Sequence, residues 1–186
     1  TKVLLFGNPA NPTGALMQQS TLEGVARIAA QHDLVVIADE IYSAFIYANA
    51  RFTSFASLPG MKERTLLLDG FSKRYGMPGW RIGYAAGPSD IITAMLDIAQ
   101  HTMLCPPNAT QWAALAALNM DDEADFARIL ANYDQRRALL YTELNRMGLT
   151  TAEPKGAFYI FPDISVTGLS ANEFCEKLLL EEKVMV

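Results

Sequence analysis

The sequence predicts an α/β fold: a mostly parallel sheet with flanking helices, then a long helix leading into the start of a smaller α+β unit. Three observations carry that reading. Short apolar runs alternate with segments of helical period. One of those runs, Leu34 to Ala38, is apolar throughout, as strands buried on both faces of a parallel sheet tend to be. The character then changes near residues 120–148, where one long helical pattern precedes a short strand–helix unit.

Taken in order, Lys2 to Phe6 reads as a strand, and Gly7 to Gly14 is rich in turn residues. Ser20 or Thr21 is placed to cap a helix to about His32, with Leu22, Val25, Ala26, Ile28 and Ala29 on its apolar face. Leu34 to Ala38, Thr65 to Leu68 and Ile82 to Ala86 read as further strands. Ser89 to His101 and Asn108 to Met120 have helical period, and Asp122 to Met147 is one long helix ended by Gly148. Ala157 to Phe161 is strand-like, and a helix runs from Ser170 to Glu182. The expected division is 1–120 for the sheet unit and 121–186 for the long helix and the shorter unit after it. Both ends of the chain lie in apolar runs, so it is read as part of something longer.

At 51% hydrophobic and 19% charged, the 186 residues suffice to bury a core. Fifteen basic against 20 acidic residues give a net charge of −5, which argues against a dedicated nucleic-acid or anionic-membrane surface. No apolar run approaches the roughly 18 residues of a membrane helix. Two cysteines make no disulfide scaffold, and no secretory leader pattern is visible, so a soluble cytoplasmic protein is expected. His32 and His101 lack partners at ligand spacing, so no metal site is expected. Cys105 has no evident partner base, Asn108-Ala-Thr110 is a glycosylation pattern without a secretory context, and no phosphate loop or dinucleotide fingerprint occurs.

Polar residues gather at one structural position. Asn11 comes after the first strand, Asp39 and Glu40 after the second, and Lys73 after the third and a short turn. Ligands bind beyond the carboxyl ends of strands in open α/β sheets, so these loops are the expected site. Each residue alone has a plain alternative. Asn8-Pro-Ala-Asn11-Pro-Thr-Gly14 reads equally as a tight turn, Asp39 as the cap of a helix beginning at Glu40, and Lys73 as a solvated amine. The run Ser72-Lys73 to Gly79-Trp-Arg81-Ile-Gly-Tyr84 adds a lysine and an arginine eight residues apart, joined by a Gly- and Pro-rich loop. A nearby cation favours loss of a proton from such a lysine, and a guanidinium fork suits a phosphate.

With these motifs the chain resembles the fold-type-I, class I/II aminotransferases that depend on pyridoxal 5'-phosphate, the aspartate and aromatic aminotransferases among them. The resemblance rests on Asn8 to Gly14, Asp39-Glu-Ile-Tyr42 and Ser72 to Tyr84, in that order, with 28 residues from Asn11 to Asp39 and 34 from Asp39 to Lys73. It extends to Gly156-Ala-Phe-Tyr-Ile-Phe161, similar to a small-domain strand of that family. It implies that residues 1–120 are the C-terminal part of the cofactor-binding large domain, and that 121–186 are the interdomain helix and the start of the small domain.

By the same resemblance Lys73 forms the internal aldimine and then serves as general base and acid. Asp39 pairs with the pyridine nitrogen, Asn11 and Tyr42 bond the phenolic oxygen, and Ser72 and Arg81 hold the phosphate. The Asn11–Pro12 bond is expected to be cis. Transamination between an amino acid and a 2-oxo acid, by a cytoplasmic homodimer, is the implied function. A lyase or decarboxylase on the same scaffold, or a non-catalytic regulatory domain, are the alternatives. Gly70 departs from members that carry a phosphate-binding serine there. The family's earlier phosphate-binding segment and its later substrate-binding arginine fall outside these residues, so the segment alone is expected to be a poor enzyme.

Overall fold

A computed structural model describes residues 1–186. Four strands form one sheet in the order of the chain: β1 (Val3–Gly7), β2 (Val35–Asp39), β3 (Thr65–Gly70) and β4 (Gly83–Ala86). The first three are parallel, with Gly7 opposite Asp39 and Asp39 opposite Leu68, so their carboxyl ends finish side by side. β4 runs antiparallel to β3, pairing Gly70 with Gly83, and the sheet is therefore mixed.

Helix α1 (Gln19–Gln31) covers one face of the sheet. Leu22, Ala26 and Ala29, spaced for one side of a helix, pack on Leu34, Val36 and Ala38 and on Phe55, Leu58 and Met61 of the loop after β2. Val25 joins this core half-buried, whereas Ile28, expected on the same face, is 53% exposed. It lies beyond the width of the buried stripe. Neither Ser20 nor Thr21 caps α1, which starts after Gln18 with no side-chain cap. The opposite sheet face is more open: Val35 and Ile37 are half-buried, and Val3 and Leu5 are exposed.

Helices α2 (Ser89–Thr102), α3 (Asn108–Leu118), α4 (Glu123–Arg146) and α5 (Ala171–Glu182) complete the chain. Gly148, at φ +85°, ends the α4 segment in a conformation that only glycine adopts without cost. Ser170 opens α5 with a reciprocal capping box to Glu173. From α3, Ala114 and Ala117 pack on Phe71. From α4, Phe126, Leu130 and Tyr133 pack against an aromatic cluster of Tyr42, Phe45, Tyr47, Phe158 and Tyr159. No helix is long and apolar enough to cross a membrane.

The strand expected over Ala157 to Phe161 does not form. Residues 151–162 make a strap held by two isolated bridges, Ile46 with Gly156 and Thr151 with Pro162. Ala157 sits at φ +57°, which breaks an extended run, and no strand of the sheet lies alongside. The strap docks instead by single hydrogen bonds. Lys155 N and Gly156 N donate to Gly14 O (2.9 and 3.0 Å), Ala157 N donates to Phe45 O and Tyr47 N to Lys155 O (both 3.0 Å). Arg137 of α4 fastens it by donating to Glu153 (3.0 Å) and to Pro154 O (3.2 Å).

Close approach decides the glycine at this junction. A Cβ on Gly156 would fall 2.5 Å from Pro9 Cγ and 3.2 Å from Phe45 O. Gly156→Ala is therefore expected to lower the stability of the protein by about 1–3 kcal/mol in equilibrium denaturant unfolding. Gly24→Ala, in the interior of α1 with only the flexible end of Arg27 nearby, is expected to raise it by about 0.5–1 kcal/mol in the same measurement.

Candidate active site

Parallel pairing brings three loop starts to one edge. Beyond Gly7, Asn8 is buried; its backbone N–H donates to Asp39 O (2.9 Å) and its Oδ1 accepts from Met17 N (2.9 Å). Ala10 N to Ala15 O and Gly14 N to Ala10 O, both 2.9 Å, close the loop. The Asn11–Pro12 peptide is cis, as expected, and so is Asn8–Pro9. Asn11 itself is exposed, and its Nδ2 donates to the Tyr159 hydroxyl at 3.3 Å.

Asp39 ends β2. Its Oδ1 accepts from Ile41 N at 3.1 Å, which caps a turn over residues 41–44 and not the helix from Glu40 that the sequence left open. Tyr42, carried by that turn, is buried, and its hydroxyl is hydrogen-bonded to that of Tyr159. The Tyr42 ring meets Phe158 and Tyr159 edge-on at centroid distances of 5.1 and 5.4 Å. Phe6, Gly7, Pro9, Asn11, Asp39 and Tyr42 line a hollow of about 420 Å³ beyond the strand ends.

Lys73 stands in the turn after β3. Its Nζ lies 5.4 Å from the centre of the Tyr42 ring and 5.5 Å from that of Phe158. Lys73 and its neighbour Ser72 line a second hollow of about 760 Å³ between this turn, α3 and α4. Tyr42 thus borders the first hollow and faces the amine in the second. Asn11, Asp39, Tyr42, Ser72 and Lys73 are brought to one edge of the sheet. Arg81 lies outside both hollows: it is exposed, adopts φ +52°, and turns its guanidinium back onto Pro78 O at 2.9 Å.

Glu40, named with Asp39 in the sequence, and two residues not singled out there, Asp69 and Tyr159, also stand at this edge. Glu40 is almost wholly buried, and its Oε1 accepts from Ser54 Oγ (3.0 Å) and Phe55 N (2.8 Å). Burial raises its pKa above the ordinary glutamate value, and the nearby charge of Asp69 adds to that. Asp69 is raised as well, first by burial and then by Asp39; it accepts from Gly70 N (2.6 Å) and the Tyr84 hydroxyl (3.2 Å). Tyr159, which touches both Asn11 and Tyr42, has its hydroxyl pKa raised by burial and by the bond to Tyr42. The sequence placed it only in the strand-like run Gly156 to Phe161, with no site role.

Gly70 has a packing reason. A Cβ there would fall 2.8 Å from Gly83 Cα, so a serine at this position requires β4 to move.

A sequence model described as "Aminotransferase class I and II" matches residues 1–186. The chain is 47% identical over 189 residues to an aspartate aminotransferase of Pyrococcus abyssi, an alignment covering 100% of this chain and 48% of that protein. It is 43% identical to an aromatic-amino-acid aminotransferase of Thermococcus litoralis, with coverage of 100% and 48%. Among solved structures, an aromatic aminotransferase from Pyrococcus horikoshii superposes with a TM-score of 0.97 at 45% identity, over 100% of this chain and 50% of that one. The chain spans about half the length of the curated relatives it matches.

The buried carboxyl of Glu40 gives this edge a pH signature. Because its folded-state pKa is raised, its contribution to stability is present below the ordinary glutamate value and is lost as pH rises through the folded value. Glu40→Gln keeps an acceptor for Ser54 and Phe55 without the charge. Its unfolding free energy is expected to match or exceed that of the unmodified protein at pH 7, with the gap narrowing towards pH 4. Glu40→Ala leaves Phe55 N unpaired and is expected to cost about 1–3 kcal/mol in the same titration.

Proposed function

The chain belongs to the class I and II aminotransferase family, and we propose that the protein containing it moves an amino group between an amino acid and a 2-oxo acid with pyridoxal phosphate as cofactor. The observation that carries this reading is the meeting of Asp39, Asn11 and Tyr42 on one hollow, with the Lys73 amine facing the Tyr42 ring. The donor set fits the cofactor: a carboxylate for a protonated ring nitrogen, an amide and a phenol for a phenolic oxygen, an amine for an aldehyde. Asp39 Oδ1 is engaged by Ile41 N and has a second carboxylate oxygen to offer.

Pyridoxal phosphate, when bound, supplies an aldehyde that joins amines and a ring that takes up the electrons left when the α-proton departs. The chain's residues do the rest. Lys73 Nζ would hold the cofactor covalently and, once the substrate amine had displaced it, would be free to accept the substrate α-proton and return it, the work of a general base and acid at one atom. Asp39 would accept a hydrogen bond from the ring N–H and keep that nitrogen charged. Asn11 Nδ2 and Tyr42 Oη would donate to the phenolic oxygen; both have Tyr159 as a shared partner in this structure. Ser72 Oγ and the Arg81 guanidinium would hold the phosphate, which for Arg81 would require release of Pro78 O. Residues 1–120 then belong to the cofactor domain, and 121–186 to the interdomain helix and the start of a small domain. The whole protein acts as a cytoplasmic homodimer.

Borohydride reduction of the full-length protein with bound pyridoxal phosphate is expected to mark Lys73 and leave Lys2, Lys62, Lys155, Lys177 and Lys183 free in peptide mapping. Lys73→Ala is expected to abolish covalent attachment, and retention of it would overturn the assignment. Asp39→Ala is expected to keep the attachment and slow α-proton exchange by roughly 10²–10⁴-fold; near-normal exchange would mean the ring nitrogen has another partner. An amino acid supplied alone should yield its 2-oxo acid without release of ammonia or carbon dioxide, which a lyase or decarboxylase would liberate.

A further inference from the structure

Lys73 sits over two aromatic rings, and no hydrogen bond holds its amine, so its place is set from the backbone side. Its neighbour Arg74 is tightly held. Arg74 Nη1 and Nη2 donate to Asp122 Oδ2 and Oδ1 at 2.8 and 2.9 Å, a two-pronged pair whose side chains are 23% and 21% exposed. The guanidinium also lies over the ring of Phe126, its carbon 3.7 Å from the centroid. Asp122 immediately precedes α4, and Phe126 N donates to Asp122 O at 2.8 Å, so the first turn of α4 presents both partners at once.

Contact then returns to the lysine. Phe126 meets Phe45 edge-on at 5.5 Å, Phe45 meets Phe158 at 5.3 Å, and Phe158 lies under Lys73 Nζ. Lys73 and Arg74 are thereby clamped from two sides of one aromatic cluster.

We propose that Arg74 and Asp122 are a positioning pair for Lys73: they fix the turn that carries the amine and cancel the charge of the guanidinium beside it. The importance of the pair for catalysis rests on the reading of Lys73 as the cofactor lysine; its effect on the amine does not. The titratable and charged groups around Lys73 are Tyr42 beneath it and Tyr159 nearby, Asp122 and Asp125 at the start of α4, Tyr133 three turns into that helix, and Arg74 and Tyr75 in its own turn. Among them only the Arg74–Asp122 pair joins opposite charges by a direct bond, so breaking it from either end changes the field at the amine with opposite sign.

The test uses the cofactor-free, full-length protein and reads the pH dependence of Lys73 acetylation by acetic anhydride, quantified by mass spectrometry against the other lysines. Asp122→Asn leaves the guanidinium uncompensated and is expected to lower the Lys73 midpoint by about 0.5 pH unit; Arg74→Gln leaves the carboxylate uncompensated and is expected to raise it by about as much. The double variant is expected to return towards the unmodified value. Asn is isosteric with Asp, and Gln removes the charge of Arg74 while keeping a polar, unbranched side chain; Arg74→Met replaces Arg74→Gln if the latter does not fold. Midpoints that stay put, or move the same way in both single variants, would overturn the proposal, whatever happens to thermal stability. No cofactor is present in this measurement, so failure here leaves the borohydride result at Lys73 to stand or fall separately.

Discussion

The register of three short parallel strands governs everything at the site. Gly7, Asp39 and Leu68 stand in one row, and the row is extended past the strand ends by Asn8 N bonded to Asp39 O and Glu40 N bonded to Leu68 O. Side chains alternate along a strand, so a slip of one residue in β2 would turn Asp39 to the opposite face and put Glu40 in its place. That alternative is blocked chemically. Glu40 is committed to Ser54 and Phe55 in a buried position, and Val36 and Ala38 are seated on the α1 core. Two adjacent acids are thus given different work by the period of the strand, one facing the hollow and one anchoring a loop.

The second constraint is the docking of the strap. Gly14 O receives two backbone N–H groups, and Gly156 packs directly on Pro9. This brings Phe158 and Tyr159 against Tyr42 and under Lys73. The aromatic cluster that results is also the seat of α4, through Phe126, Leu130 and Tyr133. One set of rings therefore joins the sheet edge, the long helix and the strap, and the candidate site lies where the three meet.

Much of this was legible in the sequence. The helices with firm stops and starts, such as the one ended by Gly148 and the one opened by Ser170, have local chemistry that specifies them. Asn11, Asp39 and Lys73 were visible because each comes after a different apolar run, and the sheet then gathers them. The features that escaped were non-local. Ala157 to Phe161 has a strand's composition, but strand formation needs a neighbour, and the left-handed turn at Ala157 leaves no symptom in the letters. Ile28 has helical period, yet the width of the buried stripe is decided by the surface beneath. Arg74 and Asp122 are 48 residues apart, and nothing in either neighbourhood announces the other. Tyr159 read only as part of a strand-like run; its half-buried ring packs on the aromatic cluster, and its hydroxyl reaches Asn11 and Tyr42.

That hydroxyl bears on how the protein comes into being. Asn11 and Tyr159 are separated by 148 residues, among the most distant partners in the chain, while β1, β2 and β3 pair over much shorter loops. Contacts of such high separation form late, because the entropy of closing the loop must be met before the contact stabilises anything. On the ribosome, where a chain emerges from its amino end, the sheet edge with Asn11, Asp39 and Lys73 can be assembled well before its cover is synthesised. Until residue 159 has been made, Asn11 has no such partner, and the strand ends stand without the cover they have in the finished fold.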